Sequence, residues 1–457
     1  MSSISRSFLA KINLTGLKLS VAAVVLIFTC IVYGVSYNIH LHPLARFPGP
    51  KRWTATRLSY VYSLWFGTLS KDVRQLHLQY GYVVRIAPNE KSFARPDAMN
   101  DIYMNMPGRP AIPKSKVWHS PQPGRPLSVL NALEAKNHQR YRKAMEPGFT
   151  DKAVRGQEPI NQAYADSLIS HLDELVSEAS DGVVVDIVRW YAFTVFDLIG
   201  DLGFGESFDC LQSNKLHPWV SLIFNSLRAA TLNASLRYYP RVHWLASFAI
   251  PKSVKRKGAE HWHGITNYLI KNPDKLIRLR NEIRGLCLEE KEISLSALQD
   301  VLYFNATIQE GLRLCNPVPI GLPRITPAGG ATISGFFVPE NTFVNMHPLT
   351  ISLSPEHFHE PLKFCPERWL STSTEDTTSP FFKDNREAVQ TFGVGPRSCI
   401  GRRIALAELR LILSRLIWKF DLEEVDTPSG KLEWMSQRDF MVVERLPFEI
   451  KLKAKGV

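Results

Sequence analysis

The segment best equipped for chemistry is Phe392-Gly393-Val394-Gly395-Pro396-Arg397-Ser398-Cys399-Ile400-Gly401. A loop rich in glycine and proline presents one cysteine just before a strongly apolar stretch that begins near Ile404. Backbone N–H groups at a helix N-terminus lack intrahelical acceptors and carry partial positive charge, which favours a thiolate. Glycine lets backbone approach a flat ligand closely. Arg397 is placed to pair with a carboxylate. These are the parts of a metal–thiolate site with an anionic cofactor. A lone cysteine is more often a buried, inert hydrophobe, and residue types alone leave both readings open.

The stretch after the loop carries the stripe Ala405, Leu409, Ile412, Leu416, thickened by Leu406, Leu413 and Ile417, and predicts a helix buried on several sides. Residues 155–230 read mostly as helix, with Ile187, Tyr191, Val195 and Ile199 at near-helical spacing. Asn272-Pro273-Asp274 opens another helix through Leu276, Leu279 and Ile283. Two further helical stretches fill Ser294 to Leu314, closed by Asn316-Pro317. Thr332 to Asn345 reads as a hairpin turning at Pro339-Glu340. The fold class is therefore mainly α with small β-sheets.

With 457 residues, 45% hydrophobic and 21% charged, the chain is no disordered protein. The net charge of +12 suits an acidic partner, an anionic membrane surface or nucleic acid. No nucleic-acid motif or basic tail accompanies it, so no nucleic-acid partner is expected. Six cysteines without a CxxC pair are too sparse for a disulfide scaffold or a cysteine zinc site. Gly203-Phe204-Gly205 lacks the third glycine of a dinucleotide site.

Leu19 to Tyr37 is uncharged, and at ~1.5 Å per residue its helix nearly matches a ~30 Å hydrocarbon core. A single transmembrane anchor is expected; the rival is a secretory signal peptide, whose apolar region is usually shorter. Lys and Arg on both sides leave the orientation open. The organisation expected is a short segment 1–18, a transmembrane helix 19–37, a Pro-rich hinge 38–52 and one domain over 53–457. The hinge holds His42-Pro43-Leu44-Ala45-Arg46-Phe47-Pro48-Gly49-Pro50, too rich in proline to continue a helix.

The cysteine loop fits F-x-x-G-x-R-x-C-x-G at every fixed position, a match expected by chance on the order of once in ten thousand such chains. It resembles the haem-binding loop of the cytochrome P450 superfamily, the haem-thiolate monooxygenases. The resemblance implies haem b with Cys399 as axial ligand of the iron and Phe392 beside the sulfur. It further implies Gly395 and Gly401 in the cofactor loop and Arg397 at a haem propionate. Glu310-Gly311-Leu312-Arg313 looks like the family's E-x-x-R motif and Pro366-Glu367-Arg368-Trp369 like its P-E-R-F/W motif. By resemblance Glu310, Arg313 and Arg368 form a buried structural triad. His138 and Arg142, four apart on one helix face, resemble the W/H-x-x-x-R propionate pair, and Arg324 sits where the family often places another propionate arginine. The alternative for these last three is solvated basic surface.

The hinge, Phe196-Asp197-Leu198-Ile199-Gly200-Asp201-Leu202 and Arg237-Tyr238-Tyr239-Pro240 are similar to fungal membrane-bound members of secondary metabolism, in the isotrichodermin C-15 hydroxylase-like group. That resemblance implies a monomer anchored in the endoplasmic reticulum with a cytosolic catalytic domain. It implies hydroxylation or epoxidation of an apolar intermediate with O2 and electrons from NADPH through a P450 reductase. Arg402 and Arg403 are either solvated surface or part of the reductase-docking patch.

One family feature is missing. The long central helix over the distal face of the haem usually carries A/G-G-x-D/E-T, and that motif is absent. Ile250-Pro251-Lys252-Ser253-Val254 resembles the segment well before it, and Gly264 to Pro273 the segment just after it. Only Lys255 to His263, with His261, Trp262 and His263, lies between. A domain-spanning helix takes roughly 30 residues at ~1.5 Å each. The central helix is therefore expected to be truncated. A skipped exon or faulty gene model, an inactive relic, and a variant needing no oxygen-activating pair, such as a peroxide-driven enzyme, compete to explain it. A cleaved, secreted protein with a structural Cys399 is the reading furthest from these.

Overall fold

The computed structural model describes residues 3–120, 126–239, 262–444 and 446–455. The principal helices are α1 (Ser3–Ser36), α2 (Lys51–Ala55), α3 (Leu58–Phe66), α4 (Leu69–Tyr80), α5 (Pro96–Tyr103), α6 (Ala135–Met145), α7 (Glu158–Ser177), α8 (Ile187–Phe204) and α9 (Pro218–Arg237). After the undescribed stretch come α10 (Trp262–Ile270), α11 (Pro273–Leu286), α12 (Leu302–Leu314) and α13 (Arg402–Lys419). Eleven strands accompany them among the described residues: β1 (Val83–Ala87), β2 (Glu90–Phe93), β3 (Val183–Asp186), β4 (Arg324–Ile325), β5 (Ala331–Ile333), β6 (Phe336–Val338), β7 (Phe343–Asn345), β8 (Phe420–Glu424), β9 (Asp439–Phe440), β10 (Val442–Val443) and β11 (Glu449–Ala454). The fold is mainly α with small sheets.

The largest sheet runs β1-β2-β7-β4. Within it β2 and β7 are parallel, with Glu90 opposite Phe343 and Lys91 opposite Val344. A second sheet runs β3-β11-β8, and β5–β6 and β9–β10 form two-stranded pairs.

Local chemistry explains the helix ends. Pro273 stands in the first turn of α11 after Asn272, as expected, and Leu276, Leu279 and Ile283 are buried. The Asp186 carboxylate accepts from the Val188 N–H at the start of α8. Of the four residues at helical spacing on α8, Ile187, Tyr191 and Val195 are buried while Ile199 is exposed. Helix α13 is buried on several sides, carrying even Glu408 and Arg415 inside.

The hairpin expected over Thr332 to Asn345 is corrected. The turn falls at Ser334-Gly335, both with positive φ, and joins β5 to β6. The second arm leaves this pair as β7 and inserts between β2 and β4. Pairing with the distant β2 wins over the local register.

The largest apolar core lies among α7, α8, α10, α11, α12 and α13. Two smaller cores back the large sheet, one holding Leu44 and Phe47, the other Trp53, Tyr60 and Leu64. Lys18–Leu41 has a mean hydropathy of 2.4 and is long and apolar enough to cross a membrane. Residues 250–261, including His261, lie outside the described residues.

Candidate functional site

Glycine sets the geometry of the cysteine loop. Gly393 (φ 69°) and Gly395 (φ 77°) are left-handed. A Cβ on Gly395 would run into the Tyr103 carbonyl and come within 3.2 Å of Met104 Sδ, so this position needs glycine for both conformation and space. The Cys399 N–H donates to the Phe392 carbonyl at 2.8 Å, which folds the loop back on itself. Gly401 is the N-cap of α13, and a Cβ there would lie 3.9 Å from Cys399 Sγ. Cys399 is a free, exposed thiol. It borders a cavity of about 410 Å³ shared with Arg142, Phe149, Arg402 and Arg403. Phe392 lines an apolar slot of about 70 Å³ with Ile265, Ala405, Leu406 and Leu409.

Cations gather around this loop. His138 and Arg142 both stand on α6, His138 buried. Arg142 Nη1 donates to the Ser398 carbonyl at 2.5 Å. Arg397 donates to the carbonyls of Ala132 and Leu133 at 2.6 and 3.0 Å. Arg324, on β4, is buried and gives Nη1 to the Ile112 carbonyl at 3.2 Å, while its Nε is buried without a partner. Lys114 pairs with Arg324 through a backbone bridge and gives Nζ to the Leu130 carbonyl.

These groups repel one another. Burial, then the charges of Arg397, Lys114, Arg142 and Arg324, push the His138 imidazole down to about 4. Burial, then Arg397 and Arg324, take the Lys114 ammonium down to about 7. Burial, then Lys114 and other cations, take His119 down to about 3. Burial also lowers Arg324 to about 10, with Arg397 adding to the fall. Their hydrogen bonds go to backbone carbonyls, and no ion pair among the described residues involves Lys114, Arg142, Arg324 or Arg397. A half-buried cation cluster around the buried Arg324, whose guanidinium Nε is orphaned, fits a ligand bringing two carboxylates.

Lys114 and His119 were not legible as members of this cluster. Nothing near them in the sequence marks them; only the bridge to Arg324 brings them in.

Glu310, Arg313 and Arg368 meet in the interior, all with fully buried side chains. Arg313 grips Glu310 with Nε and Nη2 at 2.9 and 2.7 Å, and Arg368 Nε reaches Oε1 at 3.1 Å. The Cys365 N–H and Trp369 Nε1 add two more donors at 2.9 Å. Burial pushes the Glu310 carboxyl up, but the Arg313 hydrogen bonds and the two guanidinium charges outweigh it and hold it below the usual range. Arg368 also pairs with Asp384. Asp384 and Trp369 make this a five-membered network in which every Glu310 oxygen is used.

The Cytochrome P450 family pattern matches residues 48–269 and 262–452. The match thus comes in two stretches that overlap at α10. Averantin hydroxylase of Dothistroma septosporum is 34% identical over 92% of this chain and 88% of its own length. The cytochrome P450 monooxygenase tpeC of Talaromyces stipitatus is 34% identical over 97% of this chain and 96% of its own. Trichothecene C-4 hydroxylase of Trichoderma arundinaceum is 32% identical over 92% of this chain and 94% of its own. The tpeC alignment is 502 positions long against 457 residues here, so at least 45 of its positions have no residue of this chain opposite them.

Proposed function

The chain belongs to the cytochrome P450 family, a family of monooxygenase enzymes, and we propose that it inserts one oxygen atom into an apolar secondary-metabolite intermediate. The family implies a haem iron held by cysteine; we take the group to be haem b and the ligand Cys399. Bound there, haem would supply the oxygen and electron-transfer chemistry, with the thiolate donating electron density that favours O–O cleavage.

The chain's own residues do the holding. Arg397, Arg324, Arg142 and Lys114 are the partners for the propionates, and His138 closes the buried side of the same cradle. Gly395 keeps the loop narrow. Phe392, Ala405 and Leu406 offer apolar walls that keep water away. The carrying observation is the cation cluster: Arg324 is buried and Lys114 half-buried beside like charges, an arrangement that two carboxylates would neutralise.

Electrons would come from NADPH through a separate reductase, docking at the basic surface around Arg402 and Arg403. The helix Lys18–Leu41 would anchor a monomer in the endoplasmic reticulum, the domain facing the cytosol.

The test is a reduced carbon-monoxide difference spectrum of the full chain in microsomes. A red-shifted Soret band, lost in Cys399→Ser, is the expected result. A band unchanged by that substitution would remove Cys399 from the site.

One observation favours a second reading, that this chain lacks a block its relatives carry. The two-part family match breaks at α10, and the tpeC alignment outruns the chain by at least 45 positions. On this reading a skipped exon has removed the distal motif, leaving a membrane protein that does not turn over. Sequencing transcripts across Pro251 to Gly264 decides it: a longer junction encoding G-x-D/E-T supports exon loss, and the short junction in every transcript supports a relic.

A further inference from the structure

Tyr103 closes helix α5 and meets three parts of the candidate site at once. Its phenol oxygen accepts from the Met346 N–H at 3.3 Å. The O–H faces Asn345 Oδ1 at 3.2 Å and the Leu322 carbonyl at 3.4 Å, and donates between them. Burial pushes the phenol up, against the pull of the Arg324 charge, so the O–H stays a donor. These bonds join the end of β7 to Leu322, two residues before Arg324. Gly321 permits the close approach, because a Cβ there would run into the Met346 carbonyl and Asn345 Oδ1.

The ring of Tyr103 carries Arg324. The guanidinium carbon lies 5.2 Å from the ring centroid, within reach of a cation–π contact. Among the described residues the guanidinium makes one hydrogen bond, to the Ile112 carbonyl at 3.2 Å, and its Nε makes none. A planar group with five donors and one hydrogen bond is weakly oriented, and the ring beneath it supplies a second restraint. The backbone of Tyr103 serves the other side of the site. Its carbonyl abuts Gly395, and α5 packs on the Gly395–Arg397 turn. Tyr103 and Val394 also rest on the same apolar core. One residue thus touches both Arg324 and the cysteine loop.

We propose that Tyr103 is a positioning residue for the cofactor: its ring and O–H aim Arg324 at a haem propionate while its carbonyl braces the Cys399 loop at Gly395. This rests on reading Arg324 and Cys399 as haem-contact residues. Partners one step removed from a metal centre orient its contacts and tune it. A fixed cation beside the propionates favours the reduced, less positive iron. Freeing Arg324 should therefore lower the reduction potential and loosen the haem.

The test uses the full chain, stripped of haem and titrated with hemin. Haem dissociation rate and ferric–ferrous potential are read for the parent, Tyr103→Leu, Arg324→Gln and the double variant. Tyr103→Phe, nearly isosteric, is made in both backgrounds, so the comparison survives if the leucine variant does not fold. Tyr103→Leu should release haem several-fold faster and lower the potential. Tyr103→Phe keeps the ring, loses the O–H and should fall between. In the Arg324→Gln background neither Tyr103 change should move the potential further, because the charge it aims is gone. An undiminished shift in that background makes Tyr103 a packing residue and overturns the proposal. A shift in Arg324→Gln with none in either Tyr103 variant also overturns it, and leaves the reading of Arg324 standing. Arg324→Gln identical to the parent removes Arg324 from the cofactor, and the proposal with it. A parent chain that takes up no haem overturns the reading of the site itself.

Discussion

Arg142 Nη1 donates to the Ser398 carbonyl at 2.5 Å, tying helix α6 to the residue just before Cys399 although 256 positions separate them in the chain. A hydrogen bond from a charged donor is worth about 1.5–3 kcal/mol, so this bond stiffens the loop as well as adding charge beside it. Arg142→Leu removes both contributions. Haem loss from the variant to excess apomyoglobin should be faster by about tenfold or more, since ~1.4 kcal/mol is a factor of ten. Arg142→Lys, keeping the charge but not the planar fork, should fall between. Equal rates in all three would detach α6 from cofactor retention.

The exposure of Cys399 makes a second prediction that does not require turnover. The thiol faces a cavity wide enough for a small reagent, while Cys210 and Cys315 are buried. Maleimide should modify Cys399 in protein stripped of haem and spare it once haem is added. Cys210 and Cys315 should stay unmodified in both states. Labelling of Cys399 that ignores haem would separate the thiol from the cofactor.

Removing Glu310 should be among the most damaging single changes in the chain. Glu310→Ala leaves Arg313 and Arg368 facing one another in the interior, 0% exposed, with only Asp384 and backbone carbonyls to answer them. Breaking a buried ion pair by deleting one partner costs about 3–5 kcal/mol. Trp369→Phe deletes one neutral donor to the same carboxylate and should cost nearer ~1 kcal/mol. Urea unfolding of both variants measures the difference. A Glu310 cost no larger than that of Trp369 would mean the arginines find other partners.

Parts of these sites were legible through the family resemblance, because the motifs that carry it are local. Glu310 and Arg313 are one helical turn apart, as are His138 and Arg142, and the Cys399 loop is contiguous. Such pairs are local, so sequence carries them. Asp384, Lys114 and His119 reach their partners only after the sheets and loops have formed, and no periodicity announces them. The departure of β7 from its neighbour β6 follows the same rule, because its partner β2 lies far upstream.

Asp439 provides a pH-dependent prediction whose sign is unusual for a carboxylate. Its Oδ2 accepts from Ser70 Oγ at 2.6 Å, but Oδ1 is buried without a partner, as are Asn316 Nδ2 and Gln437 Nε2. All three residues line one cavity of about 20 Å³, room for a single water. Burial pushes the carboxyl up to about 6, against the Ser70 hydrogen bond and the Lys71 charge, which pull it down. The folded state therefore holds this proton more tightly than the unfolded chain, whose carboxyl titrates near 3.8. Stability from this group is full below the unfolded value and is lost as pH rises through about 6. At ~1.4 kcal/mol per pKa unit, the loss by neutral pH is about 3 kcal/mol. Buried His77 and His138, held down near 4, and His119 and His347, held down near 3, act in the opposite direction, losing stability as pH falls below 6.5. The wild-type profile mixes both, so the informative quantity is a difference. Asp439→Asn should be more stable than wild type at neutral pH by up to about 3 kcal/mol, with the advantage shrinking to nothing near pH 4, as read from urea midpoints of the two proteins. An advantage independent of pH would show that the substitution acts through packing, and no advantage at all would mean that water in the cavity already solvates the charge.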